Sequence, residues 1–547
     1  MRYIKPIVWL IFIFSGASGL IYQVIWMRQL TLIFGSTVFA TSTVLTAFMG
    51  GLALGSYYFG RKIDESTQSP LRVYALLEAG IGAFCLVWPL ILAALSAIYV
   101  LIHRNITSEF YTLSLIRFVL TFGVLLIPST LMGGTLPVLT RFFVKRLEQL
   151  GTNIGILYAL NTFGAVIGTV AAGFFLIEAL GIRWTLGIGI AINFAVAAIA
   201  LVLARKALTI EDASSQPEIL VEDKTLSPAT QSTESRKPKA ESHLVLWAIG
   251  ISGFCALAYE VLWTRIMVFF LGSTTYAFAT MLAAFLFGIA LGSMLLARWV
   301  DRIKQPVAIF GIIQLGIGLF ALILMPAFEV LYGMSSALQS TFGASRFWTF
   351  FSCFLVMCLP TFLMGASFPL VTKIYTGSAR QLGKSIGNVY AVNTVGSILG
   401  AFCAGFILIP ILGIRPSIVL TVALNSGIGC LLILKSRWQT ETGKAFLQGI
   451  GIGMPILNAG LAVILLLTVN QSLFLKSAIF KTQRPGDTLV DYNEEVDATV
   501  TTLKDDEGVY RLYVDTNQAA DASRWDSPSH RVIAHLPLLL HPRPKRA

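Results

Sequence analysis

Two glutamates lie inside long apolar runs of the sequence, where a carboxylate has little around it to solvate its charge. Glu260 lies in ALAYEVLWTR, and Glu78 lies in YALLEAGIG. A charged group at membrane depth costs about 2.5–3.5 kcal/mol on insertion scales, so each carboxylate needs a physical reason to be there. We predict that both face a central cavity and bind a cation or a proton. The structural alternative is pairing with Arg28, Arg265 or backbone groups near the membrane surface.

Each glutamate has an amide counterpart because the chain carries an internal duplication. Three stretches recur in the same order: 15–60 as 252–297, 128–141 as 360–373, and 153–169 as 385–401. In this alignment Gln23 stands opposite Glu260, and Gln314 stands opposite Glu78. Each half therefore keeps one carboxylate and one amide with the positions exchanged, and both amides join the predicted site. Parallel halves related by an axis along the membrane normal are a transporter architecture.

Paired asparagines and aromatic residues complete the candidates within the apolar runs. Asn161 and Asn393 stand at equivalent places in YALNTFG and YAVNTVG. They either form a gate or contact a substrate, or they make interhelical hydrogen bonds, which contribute about 0.6 kcal/mol each on average in membranes. Tyr259 and Trp263 match an equivalent pair, Tyr22 and Trp26, in the first half. Such pairs form an aromatic box for an ammonium group through cation–π contacts, or anchor helices at the membrane surface.

The composition places most of the chain in lipid. Of 547 residues, 56% are hydrophobic and 12% are charged, whereas soluble chains are about a quarter charged. Mean hydropathy is +0.76, and many apolar runs reach about 20 residues, enough to cross roughly 30 Å of hydrocarbon as helices. The sequence predicts a mainly α-helical, multi-pass transmembrane bundle of two parallel repeats whose partner is the lipid bilayer.

The net charge of +12 first suggests nucleic acid as a partner. The sequence has no basic stripe interleaved with stacking aromatics, however, so we predict no nucleic-acid binding. Lys and Arg gather instead in alternate loops, such as 61–72 and 298–304. By the positive-inside rule, these loops, the amino terminus and the linker between the halves are predicted to be cytoplasmic, in a cell inner membrane. The six cysteines form no CxxC pair, so no metal site is predicted.

The sequence divides into five predicted parts. These are a first membrane half at 1–205 with about six helices, a disordered linker at 206–243, a second membrane half at 244–436 with about six helices, an additional transmembrane or interfacial helix at 446–469, and a small β-module at 486–547. The linker is polar with few large apolar residues, which is typical of disorder. Gly51 and Gly55, with their counterparts Gly288 and Gly292, form small-xxx-small faces that predict close helix packing.

The β-module contains a predicted β-hairpin. Residues 496–503 alternate between apolar and polar side chains, the Asp-Asp-Glu-Gly sequence at 505–508 is a turn signal, and 509–514 form the returning strand. Because side chains alternate across a strand, Val496, Ala498 and Val500 are predicted to share one face.

The duplicated membrane part resembles a major facilitator superfamily transporter. The resemblance lies in Gly51-Leu-Ala-Leu-Gly55 followed by Arg61 and Asp64, and in Gly288-Ile-Ala-Leu-Gly292 followed by Arg298, Asp301 and Arg302. That superfamily carries a Gly-rich, Asp- and Arg-containing signature at this loop, which this chain matches loosely.

The tail resembles the amino-terminal β-domain of spermidine synthase. The matching stretches are DATVTTLKDDEGVYRLYVDTNQAADAS and HLPLLLHPRPKRA, and the two parts together resemble the fused membrane and spermidine-synthase-like proteins of bacteria. The resemblance implies aminopropyl transfer from decarboxylated S-adenosylmethionine to putrescine, and therefore a polyamine ligand. It also implies a substrate-contacting Gln in the tail, for which Gln518 stands one place early.

The tail also departs from the resemblance. The sequence has no Gly-rich turn after a terminal strand and no catalytic Asp, and Thr516, Ala519 and Ser529 stand where that family has Gly, Gln and Tyr. We therefore expect this stretch of sequence to lack the nucleoside cradle that such a fold needs. We expect no catalytic residue and no cofactor in this chain, which alone is expected to be inactive, with a separate or downstream methyltransferase-like domain as partner.

The alternative is a polyamine or small-cation transporter with a vestigial soluble tail. Thirteen crossings from a cytoplasmic amino terminus would place that tail outside the cell, away from cytosolic nucleosides, so the side of the tail is left open.

Overall fold

The structure is a computed structural model whose description covers thirteen ranges of the chain. These are residues 4–34, 37–105, 109–143, 150–213, 239–271, 274–297, 299–342, 346–375, 382–436, 441–468, 487–494, 499–514 and 517–521. Several sequence predictions fall on residues outside these ranges: the middle of the linker at 214–238, Val496, Ala498, Thr516, Ser529 and the carboxyl-terminal stretch HLPLLLHPRPKRA.

Helices account for nearly all of the described chain. The α-helices are α1 (Ile4–Phe34), α2 (Thr37–Glu65), α3 (Pro70–Asn105), α4 (Phe110–Phe143), α5 (Leu150–Val170), α6 (Ile177–Ala213), α7 (Lys239–Leu271), α8 (Thr274–Ala297), α9 (Pro306–Phe342), α10 (Arg346–Tyr375), α11 (Leu382–Cys403), α12 (Ile409–Leu412), α13 (Ile414–Lys435) and α14 (Glu441–Thr468). A 3₁₀ turn, Val300–Arg302, lies between α8 and α9.

Each half contains the same irregularity before its last helix. A π-helical segment, Ala171–Leu176 or Ala404–Leu408, follows α5 or α11. A glycine with positive φ then turns the chain: Gly181 at 76° and Gly413 at 79°. Glycine reaches this left-handed region without the penalty that a Cβ atom adds. The turn at Gly181 ends the helix that runs from α5 through the π-helical segment into the first four residues of α6, and the rest of α6 forms the next helix.

The described residues contain eleven helical stretches long and apolar enough to cross a membrane. One of them, Ala159–Lys206, includes the turn at Gly181 and therefore makes two crossings, so six fall in each half. The predicted fold class, a mainly α-helical multi-pass bundle of two parallel repeats, is confirmed.

Glycines let helices within each half approach closely. A Cβ atom added at Gly55 of α2 would lie 1.9 Å from the carbonyl oxygen of Thr130, and one at Gly292 of α8 would lie 2.0 Å from that of Phe362. Small residues permit such contact between backbones in membranes. The predicted close packing at these small-xxx-small faces is confirmed.

The halves meet through equivalent residues. Gly173 of the first π segment packs against Ala279 of α8, and Gly405 of the second packs against Ser42 of α2. Ser42 and Ala279 occupy the same place in the repeat, so each half offers the other the same two surfaces. Such exchange is what a two-fold rotation produces. The largest buried core joins α1, α2, α7 and α8 across this interface.

The predicted disordered linker at 206–243 is wrong at both ends. Helix α6 continues to Ala213, and α7 begins at Lys239. Residues 206–213, KALTIEDA, contain good helix formers and neither Gly nor Pro, so the helix continues. Pro238 directly precedes the first residue of α7, where proline is compatible with the start of a helix.

The additional helix, α14, packs against the second half. Asn458 Nδ2 donates to Ser426 Oγ of α13 at 2.9 Å and to the backbone oxygen of Leu315 in α9 at 3.3 Å. An amide buried in a helical bundle needs such partners, and these two tie α14 to its neighbours.

The β-module is a four-stranded antiparallel sheet in the order β1 (Thr488–Glu494), β2 (Thr499–Lys504), β3 (Tyr510–Val514), β4 (Asn517–Asp521). The predicted hairpin is its β2–β3 pair. Arg511 of β3 is buried and forms two salt bridges. Its Nη1 lies 3.3 Å from Asp487 Oδ1, and its Nη2 lies 2.5 Å from Asp505 Oδ2. Val500 is half-buried, whereas Leu503 and Tyr513 on the opposite face are fully buried.

Candidate functional site

Glu78 is fully buried in α3 and both of its oxygens accept hydrogen bonds. Ser15 of α1 donates to Oε1 at 2.5 Å, and Asn193 Nδ2 of α6 donates to Oε2 at 2.6 Å. Asn193 Oδ1 accepts a hydrogen bond from the hydroxyl of Tyr22 at 2.7 Å. These four residues form the first-half chain, which ties α1, α3 and α6 together. Charge-assisted hydrogen bonds of this kind stabilise a buried carboxylate.

The equivalent residues of the second half form an interrupted second-half chain. Gln314 Nε2 of α9 donates to Ser252 Oγ of α7 at 3.0 Å, and Asn425 Nδ2 of α13 donates to the hydroxyl of Tyr259 at 3.4 Å. No bond joins Gln314 to Asn425 in the described part of the chain. Gln314 Oε1 and Asn425 Oδ1 are buried there without a donor. Buried acceptors left in this state are unusual.

Asn193 of the first-half chain and Asn425 of the second-half chain were not among the residues predicted from the sequence. Asn193 and Asn425 each lie twelve residues after the glycine of a Gly-Ile-Arg sequence, at 181–183 and 413–415. Aligning the repeat through those tripeptides pairs them directly. The repeat described above ends at residues 169 and 401, before either asparagine. The residues between each Gly-Ile-Arg tripeptide and its asparagine differ in the two halves, so they do not extend the repeat.

Glu260 and Gln23 occupy equivalent buried positions in α7 and α1. Glu260 is 2% exposed and Gln23 is 1% exposed. Within the described chain, Glu260 Oε1 and both polar atoms of the Gln23 side chain have no hydrogen-bond partner. Arg28, offered as a counter-ion, donates to Thr275 of the other half at 2.8 Å instead. Arg28 therefore pairs with neither Glu78 nor Glu260 among the described residues, which removes it from the structural alternative.

The aromatic pairs stack inside the bundle. Tyr259 and Trp263 lie with ring centroids 5.0 Å apart at 12°, and Tyr22 and Trp26 lie 6.0 Å apart at 18°. All four side chains are fully buried. Membrane-surface anchoring is therefore wrong for them, because an anchoring ring keeps its polar edge at the water boundary. Their use in an ammonium-binding box stays a prediction.

Asn161 and Asn393 lie where helices touch. A Cβ atom added at Gly16 of α1 would lie 2.8 Å from Asn161 Oδ1, and one at Gly253 of α7 would lie 2.8 Å from Asn393 Oδ1. Both asparagines are half-buried, at the α1–α5 and α7–α11 contacts. This placement favours the interhelical role over substrate contact. Gln518 lies apart from these residues in the sequence, in β4, where it pairs with Tyr513 of β3.

The described residues include no group of three or more His, Cys, Asp or Glu side chains arranged to hold a metal ion. A groove of about 520 Å³ opens beside α1, α3 and α6. It is lined mainly by aliphatic side chains together with Gln29, Ser96, Tyr99 and Arg183. None of the predicted site residues lines it.

Fold and site together define a multi-pass membrane protein of two related six-helix halves with carboxylates buried in its bundle. The family described as Major Facilitator Superfamily matches residues 7–358. The match covers more than half of the chain, which therefore belongs to this superfamily.

Curated relatives carry a different description. A polyamine aminopropyltransferase of Leptospira interrogans is 24% identical over 295 residues, or 53% of each chain. Polyamine aminopropyltransferase 1 of Streptomyces coelicolor is 22% identical over 231 residues, or 41% of each chain. The chain thus spans about half or less of the length of the curated relatives it matches.

Solved structures of transporters are similar at low identity. A bacterial homologue of the human lysosomal transporter Spinster is 14% identical with a TM-score of 0.42, and the match covers 88% of this chain and 98% of that one. A POT family transporter in complex with 5-aminolevulinic acid is 13% identical with a TM-score of 0.49, covering 80% of this chain and 96% of that one.

Proposed function

We propose that this chain is a membrane transporter for a small organic cation, with polyamines as the substrate class. The observation that carries the proposal is Glu260, a carboxylate buried in the bundle whose Oε1 has no donor among the described residues. Membership in the Major Facilitator Superfamily supports a transport role.

The two buried carboxylates have different roles in this proposal. Glu78 already accepts hydrogen bonds from Ser15 and Asn193, so its charge is compensated within the first half. Glu260 lacks that compensation. A buried carboxylate is tolerated when it is protonated or paired with a cation, because the free ion is strongly desolvated. Glu260 is therefore the residue expected to bind the ammonium group of a substrate.

The polyamine class is suggested by the relatives and by the tail. The matching curated proteins are described as polyamine aminopropyltransferases, and the β-module resembles the amino-terminal domain of spermidine synthase. A polyamine carries ammonium groups, which suit a carboxylate and, through cation–π contacts, aromatic rings such as Tyr259 and Trp263.

Uptake into liposomes tests the transport proposal. The full chain, reconstituted in vesicles, is expected to take up labelled putrescine or spermidine in a saturable way. Glu260→Gln should lower uptake by at least about tenfold, because the amide has no charge to pair with an ammonium group. Glu507→Gln, which removes an exposed carboxylate from the β2–β3 turn, is the matched control and should leave uptake unchanged. Equal uptake by wild type and Glu260→Gln would refute the assignment of Glu260.

A second candidate function is favoured by the β-module and by the names of the relatives. In this alternative the chain is the membrane part of an aminopropyltransferase. The amine of putrescine would attack the sulfonium-activated carbon of decarboxylated S-adenosylmethionine, the carbon–sulfur bond would break, a thioether nucleoside would leave, and the amine would lose a proton to water. A separate or downstream methyltransferase-like domain would hold the nucleoside.

A product assay separates the two candidates. Vesicles with and without the chain are incubated with putrescine, decarboxylated S-adenosylmethionine and a soluble cell extract that supplies the nucleoside-binding domain, and the spermidine that depends on the chain is measured by mass spectrometry. Uptake of putrescine without spermidine supports the transporter. Formation of spermidine without uptake supports the enzyme and rejects the transport proposal.

A further inference from the structure

The groove beside α1, α3 and α6 lies at one end of the first half. Its walls come from the carboxyl-terminal parts of α1 and α3 and from the first turn of the helix that begins after Gly181. Helix α3 starts beside the loop 61–72, so the groove is at the opposite end, which the positive-inside rule predicts to face away from the cytoplasm. Leu32 and Val100 of its wall are 79% and 44% exposed. In a membrane, the groove is therefore open to lipid.

Gln29 in the wall of this groove is held in one orientation. Its Oε1 accepts a hydrogen bond from Trp88 Nε1 at 2.6 Å. An indole nitrogen donates and cannot accept, so this bond fixes which atom of the amide meets Trp88. The other amide atom, Nε2, donates to no acceptor within the described ranges of the chain. The groove therefore carries an oriented N–H donor.

The charge around the groove is positive. Arg183 lines it, is exposed, and forms no ion pair in the part of the chain that the structure describes. A second guanidinium, that of Arg117, lies 3.7 Å from the ring centroid of Tyr99, which also lines the groove. No Asp or Glu is among the described residues of the wall. An arginine and an N–H donor in one wall favour an anion, because hydrogen bonds to a charged acceptor are the stronger ones.

Most of these groups have no equivalent in the second half. Arg183 is repeated as Arg415. Continuing the repeat alignment along each helix without a gap gives the counterparts of Gln29, Trp88 and Arg117 as Ile266, Leu324 and Thr349. The second half forms the same six helices with these other residues, so the fold itself does not require the three first-half side chains. A ligand gives them a role that the fold does not.

We propose that an anionic phospholipid binds in this groove, with its phosphate on Arg183 and Gln29 Nε2 and an acyl chain along Leu32, Leu92 and Val100. A guanidinium suits phosphate because its planar fork donates two parallel hydrogen bonds. The aliphatic wall decides between lipid and free phosphate, since only the lipid has a chain to bury there. The groove, about 520 Å³, is large enough for part of such a molecule. This site is separate from Glu260 and does not rest on the transport proposal.

Native mass spectrometry of the purified full chain in detergent tests the site. Phosphatidylglycerol and phosphatidylcholine with identical acyl chains are titrated in parallel. One phosphatidylglycerol per chain is expected to bind about tenfold more tightly than phosphatidylcholine, because a basic pocket between helices attracts anionic headgroups.

Three variants separate the headgroup, the acyl chain and general charge. Arg183→Gln should lose most of the preference for phosphatidylglycerol, and it should fold because Arg183 is exposed. Arg415→Gln removes the same charge from the equivalent place in the second half and should keep the preference. Ser96→Phe leaves every charge in place but fills the groove, and it should also weaken binding.

Three results would overturn the proposal. Equal binding of the two lipids would show that the groove does not select an anion. Equal losses in Arg183→Gln and Arg415→Gln would show that overall positive charge, and not this groove, attracts the lipid. Displacement of phosphatidylglycerol by an equal concentration of inorganic phosphate would show that the site takes a free anion. Retention of phosphatidylglycerol under that challenge is the result expected for a lipid site.

Discussion

The two membrane halves share helices, glycine contacts and π segments, yet they differ in how they compensate their buried polar groups. The first half closes a chain of hydrogen bonds around Glu78. The second half, with Gln314 at the same place, leaves two acceptors over. Exchanging a single oxygen for a nitrogen reverses which neighbours can donate. The duplicated helices and their contacts are thus kept in both halves, whereas the hydrogen bonds inside each half change when a single side-chain atom changes.

The largest expected effect concerns what the halves share. Gly55→Val and Gly292→Val each place side-chain atoms against a backbone carbonyl only about 2 Å away. The helix pairs α2–α4 and α8–α10 would have to separate, so we expect each variant to lose at least about 3 kcal/mol of stability or fail to fold. Size-exclusion profiles and Tm in detergent measure the loss.

Gly123→Ala is the control for these two variants. Nothing lies within 4 Å of a Cβ atom added at Gly123, and alanine favours the helix over glycine by about 1 kcal/mol. It should leave Tm unchanged or slightly raised. A stable Gly55→Val together with an unstable Gly292→Val would show that the halves do not pack equivalently.

A smaller effect is expected where the halves differ. Glu78→Gln replaces one acceptor oxygen with an amide nitrogen that can donate to Ser15, as Gln314 donates to Ser252, so both hydrogen bonds remain but lose the charge of the carboxylate. Hydrogen bonds to a charged group contribute roughly 1.5–3 kcal/mol each, and we expect a loss of about 2 kcal/mol. Chemical denaturation of the variant measures it. If Glu78→Gln were as stable as wild type, the first-half chain would not be the stabilising feature described here.

The smallest effect compares the ends of the two chains. Tyr22→Phe removes the donor to Asn193 at 2.7 Å, while Tyr259→Phe removes an oxygen that accepts from Asn425 at 3.4 Å. Interhelical hydrogen bonds in membranes contribute about 0.6 kcal/mol on average and at most about 1.7 kcal/mol. We expect Tyr22→Phe to lie near the upper value and Tyr259→Phe near zero. The reverse order of Tm shifts would contradict the geometry of the two chains.

Much of the fold could be predicted from residue types and spacing. The duplicated segments predicted two parallel halves, and Gly55 and Gly292 predicted close contacts, because glycine at a four-residue interval clears one face of a helix. The Asp-Asp-Glu-Gly turn predicted the β2–β3 hairpin. The two outer strands were missed, since β1 and β4 lack a clear alternation of apolar and polar residues.

The candidate site was predicted only in part. Glu78, Gln314, Gln23 and Glu260 were selected because polar groups in apolar runs are rare, and all four are buried. Their partners were not predicted. Arg28 was one of the partners offered in the structural alternative, and it donates to Thr275 of the other half. Charge complementarity in the sequence did not predict this hydrogen bond.

The sequence by itself determined that this is a membrane bundle made twice from one pattern, because hydropathy and repetition are properties of the order of residues. Only the tertiary structure decided that Glu78 meets Asn193, 115 residues away. A hydrogen bond depends on the rotation and depth of two helices to within a fraction of an ångström. That precision is set by the packing of the whole bundle, and no local spacing encodes it.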